Sequence, residues 1–141
     1  MSRMITDLPE GYVPSEDEEY MNPRQLEYFR RKLLDWRSRL LEESQNTLDS
    51  LRQENWQEPD MTDRATVETD AALELRTRDR YRKLIGKIDE ALDRIEDRSY
   101  GYCEETGEEI GLKRLEVRPI ATLSLEAQEK HERKERQHRD D

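Results

Sequence analysis

Two aspartates, Asp60 and Asp63, lie three residues apart in a short acidic turn between two long helical patterns. A carboxylate just before a helix accepts hydrogen bonds from the unpaired N–H groups of the first turn, and its charge complements the positive end of the helix dipole. The simplest interpretation is that Asp63 caps the second helix. The alternative is that carboxylates at the tip of a long projection reach a basic or metal-containing site inside a partner. The residues alone leave both interpretations open.

Cys103 is the second candidate for chemistry, and it is the one cysteine of the chain. The stretch from Cys103 to Thr106 is similar to half of a zinc ribbon in which the second ligand is replaced. A structural zinc site needs four thiolate or imidazole ligands, and residues 121–127 contain neither cysteine nor histidine. His131 and His138 lie in a polar segment, where solvated imidazoles are the simpler interpretation. We therefore expect no bound metal, and we expect the lone thiol to be inert.

Composition and missing motifs argue against several classes of function. The sequence has no Ser/His/Asp or Cys/His arrangement with supporting context and no acid pair in an apolar setting, so we expect no enzymatic activity. The net charge of −10, from 25 basic and 35 acidic side chains, argues against binding of bare nucleic acid. No stretch is apolar enough to cross a membrane, and the first residues do not resemble a signal peptide. With one cysteine there is no internal disulfide, so a reducing cytoplasm is the simplest location.

The elements that position these side chains are predicted by apolar periodicity. Asn22 and Pro23 supply a cap and a first helical residue, and steps of three and four residues typical of a coiled-coil seam follow. The same steps recur after the turn. There Glu74 and Arg78 interrupt the frame, so the half of the second helix nearer the turn should pack less tightly. We predict two antiparallel helices, each about 48 Å long at roughly 32 residues. The main seam residues are Leu26, Phe29, Leu33, Trp36, Leu40, Val67, Ala71, Tyr81, Ile85, Ile88, Leu92 and Ile95.

The predicted organisation has four parts. They are an acidic arm at 1–21, a coiled-coil hairpin at 22–97 with its tip at about 55–65, a small head at 98–121, and a C-terminal helix and tail at 122–141. The arm is predicted to be a disordered tail, with an alternative in which it packs on the base of the hairpin. The anchors for that alternative are Ile5, Leu8, Tyr12 and Val13.

The head is predicted to be a small, irregular β-like unit, because turn residues bracket a short, partly alternating stretch from Glu109 to Val117. Without a metal it must be held together by apolar packing. The residues expected to do this are Tyr100, Tyr102, Ile110, Leu112, Leu115 and Val117. A last helix is expected to run from near Thr122 towards Arg136 and to end in a polar, frayed segment.

Taken together, these stretches resemble the DksA/TraR family over about residues 22–130. The most specific motifs are Asp60-Met-Thr-Asp63-Arg-Ala65, Leu73-Glu-Leu-Arg76-Thr-Arg-Asp-Arg80, Tyr100-Gly-Tyr-Cys103 and Gly107-Glu-Glu-Ile-Gly-Leu-Lys-Arg-Leu-Glu-Val-Arg118-Pro119. The family has four zinc cysteines, of which only Cys103 is present here. The other three positions match Thr106, Ser124 and Ala127. The resemblance therefore implies a zinc-free member with a degenerate zinc-finger-like head.

The resemblance also implies a function. Proteins of this family insert their hairpin into the secondary channel of bacterial RNA polymerase, without direct DNA binding. With the alarmone ppGpp they repress ribosomal RNA promoters and activate amino-acid biosynthesis promoters in the stringent response. The family's tip motif corresponds to Asp60, Asp63 and Ala65. Its ppGpp site, formed together with polymerase, corresponds to Leu84, Lys87 and Arg118, and a further basic position of the family matches Gln128. We expect a monomer.

Two other functions fit a long hairpin. One is a coiled-coil adaptor, in which the tip acids are only helix caps and their substitution costs stability alone. The other is a transcript-cleavage factor that uses the same channel, in which the tip acids recruit a second metal ion and accelerate hydrolysis. The small head with Cys103 favours the polymerase regulator over both.

Overall fold

The computed structural model describes residues 6–56 and 64–140, and the protein is mainly α-helical. Its helices are α1 (Pro23–Trp56), α2 (Arg64–Asp97), α3 (Leu112–Val117) and α4 (Leu125–Asp140). The described residues contain no strand, and a single antiparallel bridge pairs Tyr102 with Glu109. The chain divides into two compact units. We call Leu34–Asp89 the hairpin unit, and Met1–Leu33 with Glu90–Asp141 the head unit.

Within the hairpin unit, α1 and α2 run antiparallel, as the sequence predicts. Thr47 on α1 lies 3.3 Å from Tyr81 on α2, oxygen to oxygen. The Nε of Arg37 donates to the Oδ1 of Asp89 at 2.7 Å, at the other end of the same unit. As the residue number falls along α1 it rises along α2, which is the register of a helical hairpin. Leu40, Thr77, Tyr81 and Ile88 are buried along the seam.

The seam of α2 differs in detail from the predicted frame. Thr77 is buried, while its neighbour Arg78, which the frame placed inward, is exposed. The Thr77 hydroxyl donates to the carbonyl of Leu73 at 2.9 Å, and this satisfies its hydrogen-bonding capacity inside the helix. Towards the start of α2 the apolar side chains are exposed, in agreement with the looser packing expected there. They are Val67, Leu73 and Leu75.

The head unit has a continuous apolar core built from the first turns of α1, the end of α2 and the segments that follow. Phe29 and Tyr100 lie at its centre with ring centroids 5.6 Å apart, and both are fully buried. The side chain of Asn22 accepts a hydrogen bond from the N–H of Gln25 at 3.0 Å, so Asn22 caps α1 as predicted. The other buried apolar residues of this core include Leu33, Ala91, Ile95, Ile110, Leu115, Ile120 and Ala121.

The prediction of a β-like unit up to Val117 is wrong, because the second half of that stretch is the helix α3. Gly111 has a φ of +103°, a conformation that glycine adopts readily, and the chain turns there into the helix. Leu112 and Leu115 are three residues apart, and Leu115 is fully buried. Helical rotation then carries Val117 outward, where it is 87% exposed instead of packing in the head.

α4 also differs from its predicted bounds. It begins at Leu125 instead of near Thr122, and it continues to Asp140 instead of ending near Arg136. The start is set by Ser124, whose hydroxyl accepts a hydrogen bond from the N–H of Ala127 at 3.2 Å. Thr122 is held by the head, because its carbonyl accepts a hydrogen bond from the N–H of Glu104 at 2.9 Å.

The described part of the arm, residues 6–21, makes defined contacts within the head unit. The Tyr12 ring packs edge-on against Tyr28 with centroids 6.3 Å apart. The Arg31 guanidinium donates to the Thr6 carbonyl at 3.3 Å. These contacts favour the interpretation in which the arm packs on the base over that of a disordered tail. Of the proposed anchors, Tyr12 and Leu8 are partly buried, Val13 is 66% exposed, and Ile5 lies outside the described residues.

Candidate functional site

The acidic tip falls largely outside the described residues. Asp60 and Asp63 both lie between the described ends of α1 and α2, and Ala65 is in the first turn of α2. The role of Asp63 as a helix cap and the role of Asp60, Asp63 and Ala65 as a functional tip therefore both stay predictions.

A row of basic side chains follows one face of α2 in the hairpin unit. Arg76, Arg80, Lys83 and Lys87 are spaced by four, three and four residues, which places them on one face of a helix. All four are exposed, and none forms an ion pair with another described residue. Arg80 lies over the ring of Tyr81 at 5.6 Å. We call these four residues the basic face. On a chain of net charge −10 it is a local concentration of positive charge.

The three residues matched to a ppGpp site lie in both units. Leu84 is partly buried and Lys87 is exposed, and they are three residues apart on α2 in the hairpin unit. Arg118 belongs to the head unit, where it forms the C-cap of α3. Its N–H donates to the carbonyl of Arg114 at 2.8 Å, and its side chain is exposed. Gln128, the position where the family has a basic residue, donates to Glu132 at 3.3 Å within α4.

A cluster next to Arg118 was missed by the sequence argument. The carboxylate of Glu116 accepts hydrogen bonds from the Tyr28 hydroxyl at 2.6 Å and from the Lys32 ammonium at 2.7 Å. We call Tyr28, Lys32 and Glu116 the Glu116 cluster. Burial disfavours the charged form of Glu116, but the bonds from Lys32 and Tyr28 outweigh it, so the pKa of Glu116 is lowered. Burial and the adjacent carboxylate raise the pKa of Tyr28 to about 12.

Two of the positions matched to zinc ligands, Thr106 and Ser124, contact the sulfur of a third, Cys103. Cys103 is buried, and its sulfur accepts hydrogen bonds from the Thr106 hydroxyl and from the N–H groups of Ser124, Thr106 and Glu105. Burial raises the pKa of the thiol, but these bonds outweigh it and lower the pKa to about 6. The fourth position, Ala127, is buried in the first turn of α4.

These positions do not fit a zinc ion. Together they offer one thiol, two hydroxyls and one methyl group, whereas structural zinc uses four thiolate or imidazole ligands. Over residues 6–56 and 64–140 no three His, Cys, Asp or Glu side chains are grouped closely enough to hold a metal ion. His131 instead contacts the carboxylate of Glu105 at the head surface, and this contact joins α4 to the loop after Cys103.

None of the helices in the described part of the chain is both long and apolar enough to span a membrane. Their surfaces are instead dominated by charged side chains, as the exposed positions of α1, α2 and α4 illustrate.

Comparison with known proteins gives matches along most of the chain. The family described as DnaK suppressor protein DksA, N-terminal domain, matches residues 25–95. The prokaryotic dksA/traR C4-type zinc finger matches residues 98–133. The second match covers the head although three of its four ligand positions lack a thiol, which indicates that the surrounding residues carry the similarity.

Relatives of known name are also similar over nearly the full length. The RNA polymerase-binding transcription factor DksA of Caulobacter vibrioides is 66% identical over 130 residues, which are 92% of each chain. The protein of the same name from Escherichia coli strain K12 is 46% identical over 128 residues, 91% of this chain and 85% of that protein.

A solved structure agrees with the fold. The transcription factor DksA2 from Pseudomonas aeruginosa superposes with a TM-score of 0.68 at 40% identity, covering 83% of this chain and 90% of that one. Two helices paired as a hairpin, a head that contains the buried Cys103 and near-full-length similarity to proteins of one name lead to a single conclusion: the chain is a member of the DksA family.

Proposed function

We propose that this protein is a transcription factor that binds bacterial RNA polymerase and is not itself an enzyme. The observation that carries the proposal is the 66% identity over 92% of both chains to a relative named RNA polymerase-binding transcription factor. Identity at this level over nearly the full length of both chains favours a shared partner. The protein is proposed to act as a cytoplasmic monomer without direct DNA contact.

We further propose that the hairpin enters the secondary channel of the polymerase. Two antiparallel helices give a narrow element, and the basic face of α2 offers four cations to acidic groups of a partner. The lack of an ion pair for any of the four within the described chain leaves their charges available to a partner. Arg76 and Arg80 can each bind a carboxylate with two parallel hydrogen bonds, whereas Lys83 and Lys87 act as point charges.

The tip is proposed to act on the catalytic centre. Asp60 and Asp63 carry negative charge at the turn of the hairpin, and Ala65 is small. In a channel that leads to a metal-containing active site, carboxylates can engage basic residues. The small side chain of Ala65 would allow close approach. The expected result is a shorter lifetime of promoter complexes.

The effector of this activity is proposed to be ppGpp. Lys87 and Arg118 supply cationic donors for its phosphates, and Leu84 supplies an apolar contact. The amide at Gln128 takes the place of a cation, so the electrostatic attraction is weaker than in relatives with a basic residue there. The proposed outcome is repression of ribosomal RNA promoters and activation of amino-acid biosynthesis promoters with ppGpp.

Two tip variants distinguish binding to polymerase from the effect on promoter complexes. Asp63→Asn removes a charge with almost no change of shape, and Ala65→Thr adds bulk. Both variants should bind core polymerase within roughly tenfold of wild type, a difference of about 1.4 kcal/mol or less. Both should lose most of their effect on the half-life of open complexes at a ribosomal promoter. Asp93→Asn, at an exposed site in α2 far along the chain from the tip, is the matched control and should behave as wild type.

Two results would contradict the proposal. Lack of binding to core polymerase by the wild-type chain would favour the adaptor, and then Asp63→Asn should cost only helix stability, roughly 1 kcal/mol. Stimulated RNA cleavage in stalled elongation complexes, lost in Asp63→Asn, would favour the transcript-cleavage factor.

A further inference from the structure

We propose that Glu116 is a positioning residue, which fixes the C-terminal end of α3 and so sets the place of Arg118 for the ppGpp response. This inference rests on the function proposed above. Its basis is the Glu116 cluster, which ties α3 to α1 two residues before Arg118.

The cluster is a defined anchor. The Tyr28 hydroxyl and the Lys32 ammonium both donate to the same oxygen of Glu116, at 2.6 and 2.7 Å. The Tyr28 ring is itself held edge-on against Phe29, with centroids 5.1 Å apart. Lys32 lies 5.9 Å from the Tyr28 ring centroid. Glu116 is therefore held by one side chain packed beside the core and by one charge partner.

The segment that needs this anchor is short. α3 has six residues, and a helix of that length is not stable without tertiary contacts. Leu115 is buried and fixes one side of the helix, while Glu116 fixes the turn that leads to Arg118. After Arg118 the chain is fixed again, because the Tyr100 hydroxyl donates to the carbonyl of Pro119 at 2.7 Å.

Arg118 thus lies between two held points, Glu116 and Pro119. Its N–H donates to Arg114 and its carbonyl accepts from Ala121, so its backbone is defined. Its exposed side chain forms no hydrogen bond with another described residue. Release of the Glu116 anchor would let the last turn of α3 fray, and the guanidinium would then occupy many positions instead of a few. A cation that must be ordered on binding has a weaker effect on affinity.

Glu116 could affect ppGpp binding through its charge or through the position of Arg118. These two effects predict opposite changes in ppGpp affinity when the carboxylate is removed. ppGpp is strongly anionic, so removal of the Glu116 carboxylate should strengthen its binding if only the local field matters. Removal should weaken binding if the carboxylate acts by holding Arg118. Tyr28→Phe isolates the positional effect further, because it removes one donor to Glu116 and leaves the net charge and the ring unchanged.

The experiment uses the full chain with purified polymerase and a ribosomal promoter. The ppGpp concentration that gives half of the maximal effect on open-complex half-life is measured for wild type, Glu116→Gln and Tyr28→Phe. We expect an increase of about tenfold for Glu116→Gln, equivalent to about 1.4 kcal/mol, and a smaller increase for Tyr28→Phe. Glu108→Gln removes an exposed head carboxylate that has no ion-pair partner among the described residues, and it should leave the value unchanged.

Readouts without ppGpp separate positioning from general stability. Polymerase affinity and the ppGpp-independent effect should stay within about twofold of wild type in both variants, because most of the fold is untouched. Amide hydrogen exchange at Arg118 should be faster in the variants than in wild type, whereas exchange at Tyr100 should change less. The reason is that only Arg118 lies next to the released turn. If Glu116→Gln melts below the assay temperature, Tyr28→Phe supplies the decisive comparison.

The possible failures are distinct. A wild-type chain that does not respond to ppGpp overturns both the proposed effector and this inference. A responsive wild type with unchanged or lower half-maximal concentrations in both variants overturns the positioning role alone. Equal losses of ppGpp response and ppGpp-independent activity also overturn it, because they would indicate a general defect of the head.

Discussion

Tyr20 and Gly101 are 81 residues apart in the chain and are joined by a hydrogen bond of 2.7 Å from the tyrosine hydroxyl to the glycine carbonyl. The same hydroxyl accepts a hydrogen bond from the N–H of Gly111 at 3.0 Å. Next to this bond Met21 packs so closely on Gly101 that a Cβ there would lie 2.9 Å from the methionine Cγ. The end of the arm is therefore fitted onto the loop that carries Cys103.

Gly101→Ala should lower the free energy of unfolding by about 2–4 kcal/mol. The residue has a φ of +93°, which costs an L-residue about 1–2 kcal/mol, and the added methyl group would overlap with Met21. Gly107→Ala is the control, because its φ is +74° but nothing lies within 4 Å of its added Cβ. Chemical denaturation of both variants measures the difference. Equal losses would show that Met21 does not pack against Gly101 in solution.

Leu115→Ala should destabilise the head by about 2–5 kcal/mol, since it leaves a cavity in the core, while Val117→Ala should change stability by about 0.5 kcal/mol or less. The reason is that Leu115 is fully buried and Val117 is 87% exposed. Thermal unfolding of the two variants gives the comparison. A large loss for Val117→Ala would instead favour the alternating, β-like conformation of residues 109–117.

Purified protein should contain no stoichiometric zinc, and its melting temperature should not change on addition of a chelator. The donor set at Cys103, Thr106, Ser124 and Ala127 has one thiol, so an ion would lack ligands. The triple variant Thr106→Cys, Ser124→Cys and Ala127→Cys is the positive control and should bind one zinc per chain. One zinc in the wild type, with unfolding on chelation, would contradict the prediction.

The stability of the head should depend on pH through Cys103. The folded-state pKa is about 6, whereas an unfolded thiol has a pKa of about 8.5. Because the folded state favours the thiolate, ionisation of Cys103 adds to the free energy of unfolding. This added stability is complete above the unfolded pKa of about 8.5 and is lost as the pH falls through the folded pKa of about 6. The difference in stability between wild type and Cys103→Ser should therefore shrink from pH 8.5 to pH 6. A constant difference over that interval would mean that the thiol stays protonated in the folded state.

The hairpin could be predicted from the sequence because its apolar spacing repeats over many turns. The frame placed Phe29, Leu33, Tyr81 and Ile88 correctly at buried positions. It failed by one residue at Thr77, because a threonine that bonds to its own helix can be buried without an apolar side chain. Because the apolar spacing repeats over many helical turns, one misplaced position such as Thr77 does not change the prediction of the hairpin.

The head could not be predicted in the same way. The spacing of Leu112 and Leu115 fits a short helix as well as an irregular extended segment. The helix is the one that forms, with Leu115 buried in the head. The Glu116 cluster had no local signal at all, since Tyr28 and Glu116 are 88 residues apart and each is an ordinary surface residue by type. The tip residues Asp60, Asp63 and Ala65 and the ppGpp residues were assigned by resemblance, and they stay predictions for the experiments above.

The long sequence separations within the head have a consequence for how the protein is made. Tyr28 and Lys32 are synthesised 88 and 84 residues before the carboxylate that they bind, and the whole of Leu34–Asp89 is made in between. Local helix formation needs no such delay, whereas closing long loops is entropically costly and slows folding. A nascent chain can therefore form much of α1 and α2 on the ribosome while the head remains open, with Phe29 and Leu33 exposed. The head should close only after Glu116 has been synthesised and has left the ribosome.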